Sequence, residues 1–245
     1  MTPTTPSPVL LLAGHWLGAW AWDDVLEHLG PAAARAHALT LPGLDPGDPL
    51  RRTRTLEDQV DAICTALGRL GGSSQDAAVV VAHSGANAPV SRVLDRHPQL
   101  VRRVVWVDSG PATSGSAAAP DLPPGVEELE LPPFAVLAEQ ASLEGLSPEV
   151  LETFRARAVP EPAPVLRQAV ELTHDDRHDV PTTLVCCSIP SAQVLELARG
   201  GHPMFADVAR LTTVDVVDLP TGHWPMWSRP DELAAVIAAA ASSPA

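Results

Sequence analysis

The chain has 245 residues, 45% of them hydrophobic and 19% charged, and carries a formal net charge of −14. It contains no lysine and no tyrosine, so all 16 basic residues are arginine; this excludes Schiff-base and pyridoxal-phosphate chemistry, a Walker-type phosphate loop, and a phenol as general acid or oxyanion donor. The acidic balance argues against nucleic acid and against an anionic membrane surface as partners.

No run of about 18 apolar residues is present, so no transmembrane helix is expected. Met1 to Pro8 is Thr/Pro-rich without the basic start of a signal peptide. Cys64, Cys186 and Cys187 suggest no disulfide framework, and the vicinal pair, set in an apolar run, reads as buried thiols. A cytoplasmic protein is expected. Its oligomeric state is left open, with a homodimer among the options.

In chain order, Val9–Ala13 predicts a first strand, followed by a glycine-containing loop and a helix near Trp20–Leu29. Arg35–Leu41 is a second, weaker strand. Leu56–Leu70 has helical spacing, with Leu56, Val60, Ile63 and Leu67 on one face. Val79–Ala82 is a third strand and Gly85–His97 a helix, in which Pro89 is tolerable because it falls near the first turn. Val101–Val107 is a fourth strand. Between Gly110 and Asp179 the rhythm breaks: prolines are frequent and only short helices are expected, at Phe134–Ala141, Pro148–Ala158 and Pro164–Leu172. An insertion of this length suggests a lid over residues 111–179, with a mobile opening part at Pro111–Pro133. Thr182–Cys187 and Val214–Leu219 are two further strands, Pro230–Ala241 a closing helix, and Ser242–Ala245 a frayed tail. The alternation implies an α/β fold: a mostly parallel sheet of about six strands with helices on both faces. Residues 1–110 and 180–245 would form the core of one domain.

The most informative string is Val79-Val80-Val81-Ala82-His83-Ser84-Gly85-Ala86-Asn87. A β-branched run ends in a serine between small residues, and a helix follows. This is the layout of a nucleophile elbow, G-x-S-x-G, with alanine at both glycine positions. The alternative is a serine capping an ordinary strand-to-helix turn. His174-Asp175-Asp176-Arg177-His178-Asp179 has histidines four apart, but a solvated loop is the better reading than a metal site. No dinucleotide fingerprint or phosphate loop is present, so neither a cofactor nor a metal is expected.

Together with Ala13-Gly14-His15-Trp16-Leu17-Gly18 after the first strand and Gly222-His223-Trp224 after the last, the elbow resembles the α/β-hydrolase superfamily. The likeness is to its small serine-esterase and hydroxynitrile-lyase-like branch. It spans Val9 to Ala241, with the family's first two strands missing. The resemblance implies Ser84 as nucleophile, His223 as base, and backbone N–H groups of Gly85 and His15 as the oxyanion hole. His83 would serve structure. The family commonly writes His-Gly where this chain has Ala13-Gly14. Its acid usually follows the strand assigned to Thr182–Cys187, where this chain reads Ser188-Ile189-Pro190-Ser191. Some members carry the acid one strand earlier, which points to Asp108; Glu196, Asp207 or no acid are the alternatives.

The resemblance implies a cofactor-independent serine hydrolase acting on an ester, thioester or lactone through an acyl-enzyme. The same residues also serve lyase, C–C cleavage or acyl-transfer chemistry, and a non-catalytic ligand-binding member is a third reading. An elbow aspartate would have suggested dehalogenase or epoxide-hydrolase chemistry. Gly14, Trp16, Phe134 and Trp224 are candidates for a substrate pocket, although the tryptophans Trp16, Trp20 and Trp22 fit a packing role. Leu122, Leu129, Phe134, Leu137, Leu143 and Phe154 suggest an apolar roof for a small apolar molecule, or side chains that pack only against each other.

Overall fold

The computed structural model describes residues 6–71 and 77–243. The first strand shows how the architecture follows from the sequence. Leu10 and Leu12 pack into one core cluster and Val9 and Leu11 into another, so an unbroken apolar run is buried on both faces, as a parallel strand requires. The same division holds for Val80 and Ala82 against Val79 and Val81.

In chain order the elements are β1 (Val9–Leu12), α1 (Asp23–His28), β2 (Ala36–Leu39), α2 (Leu56–Leu70), β3 (Ala78–His83), α3 (Asn87–Arg96) and β4 (Val101–Val107). Then come β5 (Glu128–Leu129), α4 (Phe134–Leu137), α5 (Pro148–Arg157), β6 (Glu161–Pro162) and α6 (Ala163–Arg167). The chain closes with β7 (Thr182–Cys186), α7 (Ser191–Arg199), β8 (Val214–Asp218), α8 (Pro225–Ser228) and α9 (Pro230–Ser242). Six strands form one sheet in the order β2-β1-β3-β4-β7-β8, and every pairing in it is parallel. β5 and β6 form a separate two-stranded antiparallel ribbon. The fold is therefore α/β, with α2, α3 and α7 contributing to one core face and α1 and α9 to the other.

α2 runs over the predicted residues and is closed at its start by a capping box between Thr55 and Asp58; its predicted face, Leu56, Val60, Ile63 and Leu67, is buried. The helix expected at Trp20–Leu29 is instead a 3₁₀ turn at Ala19–Trp22 followed by α1. A break at Trp22 (φ −100°, ψ 2°) separates the two, and the Trp22 side chain is fully buried. The helix expected at Gly85 likewise begins as a 3₁₀ turn, Ser84–Ala86, before α3, which leaves Pro89 in the first turn, where its missing N–H costs no bond.

Three expectations change. Pro111–Pro133 is tied down: Gly115 N–H donates to Val170 O, Val170 N–H to Ser116 O, and Ala119 N–H to Leu166 O. Residues 174–179 are not simply a solvated loop, because Arg177 and His178 are buried. Arg177 lies between Asp95 (3.6 Å) and Asp207 (3.4 Å). The tail is helical through Ser242, with Ser243 N–H still donating to Ala239 O, while residues 244 and 245 lie outside the described residues. No helix among the described residues is long and apolar enough to cross a membrane.

Candidate active site

The strand order reverses between β1 and β3, so the loops leaving their carboxyl ends diverge and open a crevice, the usual ligand position in an open parallel sheet. Ser84 follows β3 at this point. Its φ is +50°, the left-handed conformation that a tight strand-to-helix turn imposes and that costs a non-glycine residue on the order of 1–3 kcal/mol. Ala82 and Ala86 are fully buried, which is why small side chains stand at both glycine positions of the elbow pattern. Gly14, leaving β1, passes so close that a Cβ there would lie 2.6 Å from the Ser84 Cβ and 3.0 Å from the Gly85 nitrogen. The Gly14 loop is thus seated directly on the elbow.

His223 arrives on the loop after β8. Its Nε2 lies 2.8 Å from Ser84 Oγ and its Nδ1 lies 2.6 Å from Asp108 Oδ2. Asp108 directly follows β4 with φ +43°. Its Oδ1 accepts the Cys187 and Ser188 N–H groups at 3.1 and 2.8 Å, and its Oδ2 accepts the Ser188 hydroxyl at 2.6 Å. Burial alone would raise the Asp108 pKa; the hydrogen bond and charge of His223 and the bonds from Ser188 outweigh it and hold the carboxyl below its ordinary value. Ser84, His223 and Asp108 therefore form a continuous hydrogen-bonded line, with Nδ1–H donating to the carboxylate and Nε2 free to accept from the serine. Glu196 is on the exposed side of α7, and Asp207 is engaged with Arg177. Sequence reasoning missed Ser188. It stands where the family usually places its acid, and here it supplies donors to the acid instead.

His83 accepts the Gly14 N–H at Nδ1 (3.3 Å), so its proton is on Nε2 and donates to the His223 carbonyl at 2.8 Å. Burial, reinforced by the charge of His223, pushes its pKa down to about 3. The ring is neutral, and it ties the loop after β1 to the loop that carries His223.

The predicted pocket residues divide. Trp224 is buried edge-on to the His223 ring (4.9 Å, 86°), so it backs the imidazole. Phe154 contacts Trp224, Trp227 and Phe134 at 5.1–5.8 Å. With Leu137 it is fully buried in the same core cluster as Met226, so these two side chains neither roof an open pocket nor pack only against other roof residues; they join the core that backs the histidine loop. Phe134 is half-buried beneath Arg155. Trp16 is half-buried with its indole N–H donating to Leu129 O at 3.0 Å, and its φ is +65°. His15 stacks its ring against Gly85, and a side chain at Gly85 would overlap it. A cavity of about 10 Å³, lined by Gly14, His15, Gln59, Gly85 and Glu161, adjoins the two. Cys186 and Cys187 are buried free thiols; burial raises both, Cys186 to about 11.

Residues 111–179 hold the site at two places. Gly222 N–H donates to Glu144 O and His223 N–H to Ser142 O, at 3.1 and 2.8 Å. A Cβ on Gly222 would strike that backbone, which makes the position glycine-only. On the other side Val159 N–H donates to Trp16 O at 3.0 Å.

A six-stranded parallel sheet with a strained serine, a histidine and a carboxylate at its strand ends defines an α/β-hydrolase-type protein. A family model described as the alpha/beta hydrolase family matches residues 9–236, and the chain belongs to this family. Solved structures are similar across almost the whole chain. An extracellular α/β-hydrolase from a Paenibacillus species, described as sharing structural and functional homology with tobacco salicylic acid binding protein 2, is 17% identical, with a TM-score of 0.72 over 96% of this chain and 99% of that one. A histidine-to-alanine variant of tomato methylketone synthase I complexed with β-ketoheptanoate is 14% identical, with a TM-score of 0.73 over 97% and 98%. A pyrethroid hydrolase from Sphingobium faniae is 19% identical, with a TM-score of 0.65 over 97% and 98%. At these identities the likeness concerns the fold. No curated protein sequence matches the chain.

Proposed function

We propose that the protein is a cofactor-independent serine hydrolase that cleaves a carboxylic ester, thioester or lactone of a small apolar molecule. The observation that carries this reading is the line Ser84–His223–Asp108, with 2.8 and 2.6 Å links, on a serine held at positive φ. Ser84 Oγ attacks the carbonyl carbon as its proton passes to His223 Nε2. The resulting oxyanion is met by the N–H groups of Gly85 and His15. His223 then gives the proton to the departing oxygen or sulfur, the bond to the leaving group breaks, and an acyl-Ser84 remains. Water adds by the same route, with His223 taking its proton, and releases the acid. Asp108 fixes the imidazole tautomer and stabilises its charged form. The half-buried side chains of Trp16 and Phe134 support an apolar substrate, and the three unpaired thiols support a cytoplasmic setting.

A fluorophosphonate probe tests the reading. Wild type is expected to become labelled on Ser84, and Ser84→Ala to stay unlabelled. Equal labelling of both, or none in the wild type, would refute the hydrolase assignment. Labelling of Ser84 without turnover of any activated ester would favour lyase or acyl-transfer chemistry on the same residues.

A further inference from the structure

Glu161 is a carboxylate only 2% exposed, carried by β6 in the ribbon with β5, within residues 111–179. Its Oε1 accepts from His15 Nδ1 at 3.0 Å and from the Trp16 backbone N–H at 3.3 Å, while its Oε2 has no partner. Burying a carboxylate with one oxygen unmatched is costly, so the arrangement persists only where surrounding structure supports it. The two residues it holds are the ones that follow Gly14, the glycine seated on the elbow. One is Trp16, kept at φ +65°, and the other is His15, whose ring rests on Gly85.

The ribbon itself is anchored. Trp16 Nε1–H donates to Leu129 O in β5, Val159 N–H donates to Trp16 O, and Arg51 pairs with Glu128 and reaches Pro160 O. The titratable groups that act on or with His15 are Glu161 from the ribbon and neutral His83 from β3. Burial lowers the His15 pKa, but the charge and hydrogen bond of Glu161 more than compensate, so it ends above its ordinary value.

We propose that Glu161 is a positioning residue: acting through His15 and Trp16, it fixes the loop that presents the His15 amide to the oxyanion, so that the segment over the site completes the oxyanion hole. This rests on the hydrolase reading above. In that reading Glu161 never touches substrate; it sets the geometry and the charge of the loop that does.

The experiment compares wild type, Glu161→Gln and Glu161→Ala with a p-nitrophenyl ester, a boronic acid that mimics the tetrahedral oxyanion, and NMR titration of the His15 ring. Glu161→Gln keeps the shape and an acceptor for Trp16, and so isolates the charge. It is expected to lower kcat by about 10- to 100-fold, within the range for weakening one oxyanion donor. KM should stay within about twofold, boronate affinity should fall in parallel with kcat, and His15 should titrate below the free-histidine value of about 6.5. Glu161→Ala should lose more kcat again. Wild-type kcat and boronate affinity in a folded Glu161→Gln would overturn the proposal, as would an unchanged His15 titration. If wild type neither turns over nor reacts with fluorophosphonate, the hydrolase reading fails by itself. The His15 titration then decides alone whether Glu161 governs the loop.

Discussion

At the scale of single residues, Trp16, Ser84 and Asp108 are the described non-glycine residues with positive φ, and all three stand at the candidate site. Each such conformation costs on the order of 1–3 kcal/mol and survives only where packing and hydrogen bonds over-determine it. For Asp108 the over-determination is visible: the Cys187 and Ser188 backbone, the Ser188 hydroxyl and His223 all donate to one carboxylate. Asp108→Asn tests its role cleanly, because asparagine tolerates the left-handed region. Its amide nitrogen would face His223 and favour the wrong tautomer, so kcat on an activated ester is expected to fall about 10⁴-fold. Because the Asp108 pKa is held down on folding, its contribution to stability is complete above about pH 4 and is lost as pH falls through the lowered folded value. The stability gap between wild type and Asp108→Asn should therefore narrow on acidification, measured by thermal denaturation at a series of pH values. A turnover unchanged from wild type would remove Asp108 from the mechanism.

At the scale of elements, the site is assembled from strand ends and the loops that leave them. The loops after β1, β3, β4, β7 and β8 converge because parallel strands all point their carboxyl ends the same way. What keeps them in register is contact between backbones. Gly222 is the clearest case, since a Cβ there would come within 2.7 Å of Ser142 O and of Glu144 N. Gly222→Ala is expected to push residues 142–144 away, free the His223 N–H from Ser142 O, and lower kcat about 100-fold through misalignment. Far-UV circular dichroism should be retained. Wild-type kcat in that variant would show that the clamp on the histidine loop is dispensable.

The same scale explains what the sequence made legible. β3 and the Val104–Val107 part of β4 were readable because both faces are buried there and the apolar run is continuous. The elbow was readable because a serine between small residues after such a run has few other uses. Asp108 was singled out through the family resemblance, because it stands at the end of the fourth strand, where some members carry their acid, while Ser188 occupies the more usual place. The β5–β6 ribbon was not readable: two-residue strands paired across some 30 intervening residues leave no periodicity. Glu161, between Pro160 and Pro162, looks like an ordinary loop acid. α7 was missed although Val194 and Ala198 bury one helical face, because the preceding Ser-Ile-Pro-Ser reads as loop.

At the scale of the whole molecule, residues 111–179 are bound into the core. They grip the histidine loop at Ser142–Glu144 and the loop after β1 at Val159–Glu161, and their final turn inserts Arg177 between Asp95 of α3 and Asp207. Removing one partner from a buried ionic group of this kind typically costs about 3–5 kcal/mol, so the junction ties the segment firmly to the sheet layer. The acidic, lysine-free composition leaves this organisation untouched, because arginine supplies the buried cation. Composition did narrow the chemistry: without lysine a Ser–Lys dyad is excluded, and His223 is the base within reach of Ser84.

In the proposed reaction Ser84 forms a covalent acyl intermediate. Rapid acid quenching of the enzyme with a p-nitrophenyl ester, followed by intact-mass and peptide mapping, measures this directly. The expected result is a mass increase equal to the acyl group, located on Ser84, with a matching burst of p-nitrophenol and accumulation enhanced in Asp108→Asn relative to its turnover. An enzyme that turns over the ester with no acyl adduct, or with the adduct on another residue, would contradict it.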